Sequence, residues 1–245
     1  MVLARLKWSS SASCFPTRSC LGQAIPEDTS PITLLENFIY SDTTNFSSNS
    51  WNLFLYNTSV GTSTAQKIGI RHQQLYVADN GVFSAGITYG TILHKTKMHT
   101  SDHASEITIG SNFGSFSATT RAYLRCKGNG SAGVVMHVFG SSGDTRVTIS
   151  TIASPTEQGT TQVSVTGLTS TPGDIFTIVA EGNVYTCYKN NVAISGATWT
   201  DSGNIIPQTN IYRTVGCGTG MQRDFAFDTR DDAADIDAWR GYDLS

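Results

Sequence analysis

Charged side chains are scarce in this 245-residue sequence, and it contains neither a long apolar run nor a recognisable secretory signal. Asp, Glu, Lys and Arg make up only 14% of the residues, whereas globular domains average about a quarter. The formal net charge of -3 offers no basic surface to a phosphate backbone, so we expect no nucleic-acid partner. No apolar run approaches the roughly 18 residues of a membrane helix, and no secretory signal is recognisable. We therefore expect that the protein does not insert into a membrane and that it is synthesised in the cytoplasm.

Cysteine is too rare and too irregularly spaced for a disulfide framework or a zinc site. The five cysteines form no CxxC pair, and five is an odd number. Three of them lie in apolar runs and are expected to be buried strand residues, because free cysteine behaves as a small apolar side chain: Cys126, Cys187 and Cys217. Cys14 and Cys20 lie in a polar segment, and whether they pair is left open.

Glutamate is also scarce, which argues against a glycosidase. Such enzymes place two carboxylates on either side of the scissile bond. The chain has five glutamates, and no strand carries a Glu-x-Asp-x-Glu array. There is no GxSxG nucleophile motif and no phosphate-binding loop that ends in Lys-Ser or Lys-Thr. The sequence therefore predicts a protein that is not an enzyme, with a polysaccharide depolymerase built from distant carboxylates as the alternative.

The residues that are present predict an all-β fold. Residues 1–33 are rich in Ser and small residues and read as an N-terminal arm or linker. From Leu34 onward, short apolar runs alternate with Gly, Asn and Ser clusters at intervals of about 8–12 residues, as in sandwiches and barrels. We predict one domain over residues 34–245, a β-sandwich of about 12–14 antiparallel strands.

Turn residues predict a three-stranded antiparallel meander over residues 175–200. Gly182-Asn183 separates IFTIVAE from VYTCYK, and Asn190-Asn191 separates VYTCYK from VAISG. Glycine and asparagine tolerate the positive φ angles of tight hairpins. A further bend, GCGTG at residues 216–220, is expected at the end of a strand.

Three apolar residues are predicted to be structural: Trp51, Ile236 and Trp239. The final segment IDAWRGYDLS is expected to form a strand beside the first one, ENFIY. Simple alternation puts Ile236 and Trp239 on opposite faces. Either both faces are covered there or a bulge turns Trp239 inward.

The candidate binding residues are aromatic. Sugar-binding sandwiches offer flat rings to the apolar face of a pyranose, and three rings near turns are candidates for a glycan site: Trp199, Tyr89 and Tyr212. Each could instead belong to the core or its rim.

We expect no bound metal ion, although one acidic segment is a candidate calcium site. The acidic segment DFAFDTRDDAADID could hold calcium through Asp228, Asp231 and Asp232, although it lacks the register of an EF-hand. The histidines of HKTKMHTSDH, which are His94, His99 and His103, read as solvated loop residues. No cofactor is predicted.

The order of these segments resembles a known family. LENFIYSDTTNFSSNSWNLF, the strand GIRHQQLYVADNG, the segment PGDIFTIVAEGNVYTCYKNNVAISGATWTDSG and the ending IDAWRGYDLS resemble the concanavalin A-like (laminin G-like) jelly-roll domains of tailed-bacteriophage minor tail and virion structural proteins. The likeness covers about residues 34–245. It departs from the pattern at Asn190-Asn191, where Asn-Gly is usual, and across the acidic segment at residues 222–235.

This resemblance implies a non-enzymatic virion protein, most simply a minor tail or tail-tip subunit. Its arm would dock on other virion proteins, and its jelly roll would contact glycans of the host cell wall. The particle would be assembled in the host cytoplasm, and analogy with tail-tip parts suggests a homotrimer. A capsid decoration or head-fibre protein is the first rival hypothesis, and a free-standing lectin is another.

Overall fold

The computed structural model describes residues 30–57, 67–78, 86–111, 118–141, 143–154, 157–223 and 230–245. The described residues form sixteen strands and one short 3₁₀ helix, Asn210–Tyr212. The strands are β1 (Thr33–Glu36), β2 (Trp51–Asn57), β3 (Lys67–Arg71), β4 (Gln74–Ala78), β5 (Gly86–His94), β6 (His103–Ile109), β7 (Thr119–Cys126), β8 (Val134–Ser141), β9 (Asp144–Ser154), β10 (Glu157–Leu168), β11 (Ile175–Glu181), β12 (Val184–Lys189), β13 (Val192–Thr200), β14 (Thr214–Arg223), β15 (Arg230–Asp232) and β16 (Ile236–Asp243). Among the described residues, no helix is long and apolar enough to cross a bilayer.

Two antiparallel sheets form the sandwich. The first sheet has the order β13-β12-β11-β6-β16-β4-β3, with β1 paired to β16. The second has the order β10-β9-β8-β7-β14-β5-β2, with β15 paired to β14. The predicted all-β, concanavalin A-like jelly-roll class is therefore confirmed, with slightly more strands than expected. Most of the predicted arm, including Cys14 and Cys20, lies outside the described residues.

Alternating apolar side chains fill the space between the sheets. Successive residues of a strand point to opposite faces, so every second residue of each strand enters the core. The first sheet contributes Ile107, Ile109, Phe176 and Ile178, and the second contributes Ile92, Leu124, Met136 and Ile149. The three described cysteines are free and buried, as predicted. Burial raises the pKa of each of their thiols well above its usual value.

The predicted meander is confirmed as β11, β12 and β13. Gly182 has a φ of 55°, and Asn190 and Asn191 have φ angles of 50° and 64°. The Asn190 side chain adds support, since its Oδ1 accepts a bond from the Ile175 amide at 2.8 Å and its Nδ2 donates to Asp174 at 2.8 Å. Asparagine therefore performs the role for which a hairpin commonly uses Asn-Gly.

The first strand begins three residues earlier than the sequence suggested. Thr33–Glu36, not ENFIY, pairs with β16. The chain leaves the strand direction at Phe38, whose φ is 50° and whose amide donates to the Glu36 carboxylate at 3.1 Å. Phe38 is thereby turned into the core, where it is fully buried.

A bulge in β16 brings both Ile236 and Trp239 into the core. The register against β6 shifts between Ile236 and Ala238, so Asp237 is the extra residue. The Trp239 indole donates to Ser105 at 3.0 Å and packs edge-to-face on Trp51 with ring centroids 4.9 Å apart. Of the two possibilities that alternation allowed, the structure has the bulge.

Candidate functional site

The outer face of the second sheet carries aligned polar and aromatic side chains. Pairing across seven neighbouring strands places seven residues in one row, the central row: Phe54, Thr91, Gly218, Arg121, His137, Thr148 and Ser164. The adjacent rows contain Tyr56, Tyr89 and Gly220 on one side and Leu93, Gly216 and Tyr123 on the other. Polar side chains are common on the outer face of a sandwich, but Thr91, Arg121 and His137 are buried there, and buried polar groups need a reason.

Two glycines of β14, Gly218 and Gly220, make room for the rings on this face. A Cβ on Gly220 would lie 2.7 Å from Cδ1 of Tyr89, and one on Gly218 would lie 3.2 Å from Cε2 of Tyr123. The segment GCGTG is thus the interior of a strand and not the strand-end bend that was predicted. Glycine is required here because backbone and aromatic rings approach too closely for any side chain.

A buried guanidinium organises the centre of the face. The side chain of Arg121 is 1% exposed, and its Cζ lies 3.4 Å from the centroid of the Tyr89 ring. Its Nε donates to Thr119 at 2.8 Å and its Nη1 to the Tyr123 hydroxyl at 3.3 Å. The network continues from Tyr123 to Thr91 over 2.7 Å. Charge-assisted bonds of this kind hold the side chains in one arrangement.

His137 and Thr148 carry hydrogen-bonding atoms that nothing else uses. Both residues are buried and lie opposite each other on β8 and β9. Within the described part of the chain, neither His137 Nε2 nor Thr148 Oγ1 has a hydrogen-bond partner. Burial, and then the charges of Arg121 and Arg146, hold the pKa of His137 well below its usual value, so the ring is neutral at pH 7.

The Thr119 hydroxyl is the hydrogen-bond partner of His137 Nδ1. The Thr119 hydroxyl accepts from Arg121, so its own proton can be donated to His137 Nδ1 at 3.3 Å. In that arrangement the remaining proton of the neutral ring lies on Nε2. The middle of the face therefore contains two buried polar atoms without a partner among the described residues, His137 Nε2 and Thr148 Oγ1, and the half-buried Phe139 ring stacks on His137 with ring centroids 5.6 Å apart.

The three predicted glycan-binding rings do not share one surface. Tyr89 lies on this face, 8% exposed and covered by Arg121. Trp199 lies on β13 at the edge of the other sheet, half-buried and stacked on Tyr185 at 5.0 Å. Tyr212 is in the 3₁₀ helix, 9% exposed, with Lys127 Nζ 5.3 Å from its ring. Their role in glycan binding stays a prediction.

The predicted acidic metal ligands are only partly described. Asp228 and the side chain of Asp231 lie outside the described residues. The Asp232 carboxylate is 3.1 Å from the Arg71 guanidinium, which also pairs with Asp235 at 2.9 Å. Among the described side chains, no group of three or more His, Cys, Asp or Glu residues is arranged to hold a metal ion. The calcium site therefore stays a prediction.

The histidines of HKTKMHTSDH are not all solvated loop residues. His103 is fully buried, with Nδ1 3.1 Å from the Thr100 carbonyl. His94 packs against Trp51 and Trp239 with ring centroids 4.9 and 6.0 Å away. The prediction failed because the two residues occupy the end of β5 and the start of β6, where side chains turn into the sandwich.

The residues of the central row were not predicted from the sequence. The signal was a charged or polar residue inside an otherwise apolar strand, Arg121 in TTRAYLRC and His137 in VVMHVFGS. Such a strand has a polar face, but only pairing shows that Arg121 and His137 are neighbours. None of the residues that pairing places in the central row is an Asp or a Glu.

Comparisons by sequence identify no relatives. The sequence matches no protein-family model and no curated protein.

Solved structures match by fold, at 10–11% identity. A structure described with the endo-acting O-glycanases that members of the human gut microbiota express to initiate mucin breakdown has a TM-score of 0.58 and 11% identity, over 86% of this chain and 99% of that one. The endo-β-1,3-glucanase of Pyrococcus furiosus has a TM-score of 0.55 and 10% identity, over 86% and 94%. A β-1,3-1,4-glucanase from a mouse hindgut metagenome has a TM-score of 0.51 and 10% identity, over 86% and 98%.

These likenesses correct the prediction that the protein is not an enzyme. That prediction is wrong because the three structures named above are described as glycanases, so this fold is one on which glycan cleavage takes place. Few glutamates in a sequence are a poor criterion, since the two carboxylates of a glycosidase can come from distant strands. The chain has a jelly-roll fold that it shares with glycan-acting proteins.

Proposed function

We propose that this protein acts on a polysaccharide and binds it across the outer face of the second sheet. The observation that carries the proposal is the pair of unused polar groups, His137 Nε2 and Thr148 Oγ1, in the middle of the central row. A buried polar atom without a partner costs free energy, about 1–3 kcal/mol, so a site that keeps two of them has a use for them. A ligand hydroxyl can accept from the histidine and donate to the threonine.

The rest of the face suits a sugar chain as well. Pyranose rings have apolar faces that stack on aromatic rings and hydroxyls that need hydrogen-bond partners. Phe54, Tyr56 and Phe139 are half-buried rings on this face, on both sides of Arg121. The hydrogen-bonded Arg121 network holds these groups before the ligand arrives, which lowers the entropy lost on binding.

Cleavage of the bound chain is the second candidate, as a polysaccharide depolymerase. The glycanases of the same fold favour it. A retaining or inverting mechanism needs two carboxylates, about 5 to 9.5 Å apart. The central row has none, so the acid and its partner would come from residues outside this row.

Binding is tested with Thr148→Val, which removes the unused hydroxyl and keeps the shape. We expect the variant to be at least as stable as the parent, because the lost hydroxyl has no partner in the folded chain. We expect its affinity for β-1,3-glucan or β-1,3-1,4-glucan to fall roughly fivefold, the effect of about 1 kcal/mol. Thermal unfolding and affinity electrophoresis measure the two effects.

Thr198→Val, on the outer face of the other sheet, is the control and should bind the glucans like the parent. The site is rejected if neither polymer slows the migration of the parent in the gel. It is also rejected if the polymers slow the parent and Thr148→Val equally. New reducing ends after incubation of the parent with the polymers would establish cleavage in addition to binding.

We further propose the setting implied by the sequence resemblance. The protein would be part of a phage virion, as a minor tail or tail-tip subunit, or as a capsid decoration protein, with the segment before β1 docking on other virion proteins and host cell-wall glycan as the ligand. Homotrimer formation belongs to the same proposal. Deletion of residues 1–29 leaves Ile32 and β1 in place and should give a folded domain that no longer enters particles. Unchanged incorporation of the truncated protein would reject the docking role.

A further inference from the structure

The first sheet has a depression on its own outer face, on the side of the sandwich away from the central row. In one row across this sheet, strand pairing places Tyr242 of β16, Ala104 of β6 and Val179 of β11 side by side. Ala104 contributes only a methyl group between two larger side chains. Two adjoining cavities of about 260 and 280 Å³ lie along β11 and β16 and share Glu181 and Leu244 in their linings.

One wall of this depression is held by a charged network. The Glu106 carboxylate accepts a bond from Thr177 Oγ1 at 3.1 Å and one from Arg240 Nη2 at 3.0 Å. The Arg240 guanidinium in turn lies 4.5 Å from the centroid of the Tyr242 ring. Because each of these side chains is fixed by its neighbour, the ring of Tyr242 keeps its position without a ligand.

The other wall offers unused polar groups beside a second ring. Glu181 is exposed, and no described residue forms an ion pair or hydrogen bond with its carboxylate. Asp102, 48% exposed, uses Oδ1 for Arg125 and for the Gly182 amide. The Tyr188 ring and the exposed Asn191 complete the lining.

This composition excludes several ligand classes. Among the described side chains, no group of three or more His, Cys, Asp or Glu residues is arranged to hold a metal ion. No basic side chain among those that line the two cavities is available for an anion. Tyrosine rings next to carboxylate and amide groups fit a ring that is apolar on its faces and carries hydroxyl donors at its edge.

We propose that this depression is a second glycan-binding site. A sugar ring would stack against Tyr188 and Tyr242, and its hydroxyls would donate to Glu181 and Asp102. The two cavities together fall within the usual 300–1,000 Å³, roughly, of a small-molecule site. The choice of a glycan rests on the proposed function. With one site on each sheet, a single chain of the protein would bind two segments of polysaccharide at once, and binding to a polymer would be tighter than to a short oligosaccharide.

Calorimetric titration with a β-1,3-glucan hexasaccharide and with a β-1,3-1,4-glucan hexasaccharide tests this inference. We expect two ligands per chain for at least one of them. Tyr188→Ala should remove one of the two, through a loss of affinity of at least tenfold at that site. Tyr188→Phe keeps the ring and should retain both. Glu181→Gln, an exposed change that leaves folding intact, should weaken the same site about threefold to tenfold.

The variants separate this inference from the proposed function. A stoichiometry of one that Thr148→Val weakens and Tyr188→Ala leaves unchanged would refute the second site and keep the first. Sensitivity to Tyr188→Ala alone would support the depression and reject the central row. No binding of either hexasaccharide would reject both sites.

Discussion

At the scale of single residues, the buried charge of Arg125 is stabilised because each of its guanidinium nitrogens has an acceptor. The Arg125 side chain is 1% exposed between the sheets, and its backbone φ is 44°. Its Nε and Nη2 donate to the Ser101 carbonyl at 3.0 and 2.8 Å, and its Nη1 donates to the Tyr185 hydroxyl at 3.2 Å. An ion pair to Asp102 at 3.2 Å balances the charge. Loss of the Asp102 carboxylate would leave the positive charge of Arg125 uncompensated in the low-dielectric interior.

His103, next to this guanidinium, makes the fold sensitive to mild acid. Burial, followed by the nearby Arg125 charge, contributes to a pKa of about 4, below the usual 6.5. The unfolded chain therefore takes up a proton between pH 6.5 and 4 that the folded chain refuses, and stability falls as the pH drops through this range. The loss attributable to His103 amounts to roughly 3 kcal/mol at most.

Urea unfolding at pH 7.5 and at pH 5 measures this effect. We expect His103→Gln, which has no titrating group, to lose less stability than the parent between the two pH values, while the exposed His72→Gln variant behaves like the parent. The dependence that remains belongs in part to His137, whose pKa is also lowered by burial. Equal losses in parent and His103→Gln would show that His103 does not titrate in this way.

At the scale of elements, the β12–β13 hairpin shows two asparagines with different roles. Both have positive φ, but only the side chain of Asn190 is bonded to the neighbouring turn, through Ile175 and Asp174. The Asp174 carboxylate has a lowered pKa despite partial burial, because Asn190, Lys189 and Thr171 all donate to it. The hairpin and the turn before β11 are thus one hydrogen-bonded unit.

Substitution of the two asparagines should therefore have unequal effects. We expect Asn190→Ala to lower the free energy of unfolding by roughly 2 kcal/mol, since it removes two hydrogen bonds and puts alanine at a positive φ. Asn191→Gly should stay within about 0.5 kcal/mol of the parent, because glycine adopts this φ without strain. Chemical denaturation of both variants gives the comparison. A larger loss for Asn191→Gly than for Asn190→Ala would contradict this division of roles.

At the scale of the whole molecule, β16 joins segments that are far apart in the sequence. It pairs with β1, β6 and β4, and its Asp243 carboxylate accepts bonds from three backbone amides. These are the amides of Ile32 at 3.0 Å, His99 at 3.0 Å and Thr100 at 2.9 Å, and the Thr100 hydroxyl adds a fourth bond at 2.8 Å. These donors lower the pKa of Asp243 in spite of its partial burial.

Asp243→Ala should destabilise the whole sandwich. We expect a loss of roughly 3 kcal/mol in the free energy of unfolding at pH 7, because four donors lose one charged acceptor. Because the pKa is lowered in the folded chain, this contribution is present above the ordinary Asp value of 3.8 and disappears as the pH falls through the lower, folded value. The exposed Asp237→Ala in the same strand is the matched control. Equal unfolding midpoints for the two variants would disprove the role given to Asp243.

Much of the fold could be predicted, and little of the site. The meander was predicted because its turn residues act locally through their φ angles, as Gly182 and Asn190 do. The central row was not predicted because its residues come from strands that are neighbours only after pairing, as β7 and β14 are. GCGTG was misplaced for the same reason, since its glycines respond to Tyr89 and Tyr123 on other strands.

The sequence by itself determined the all-β class, the positions of most strands along the chain and the turns of the meander, since alternation and turn chemistry act over a few residues. The tertiary structure alone decided that Trp239 faces inward, through the bulge at Asp237, and that His103 is buried. It also brought His137 opposite Thr148 and left Ala104 between Tyr242 and Val179. Which side chains face each other across a sheet depends on register, and register is set by the packing of the whole core.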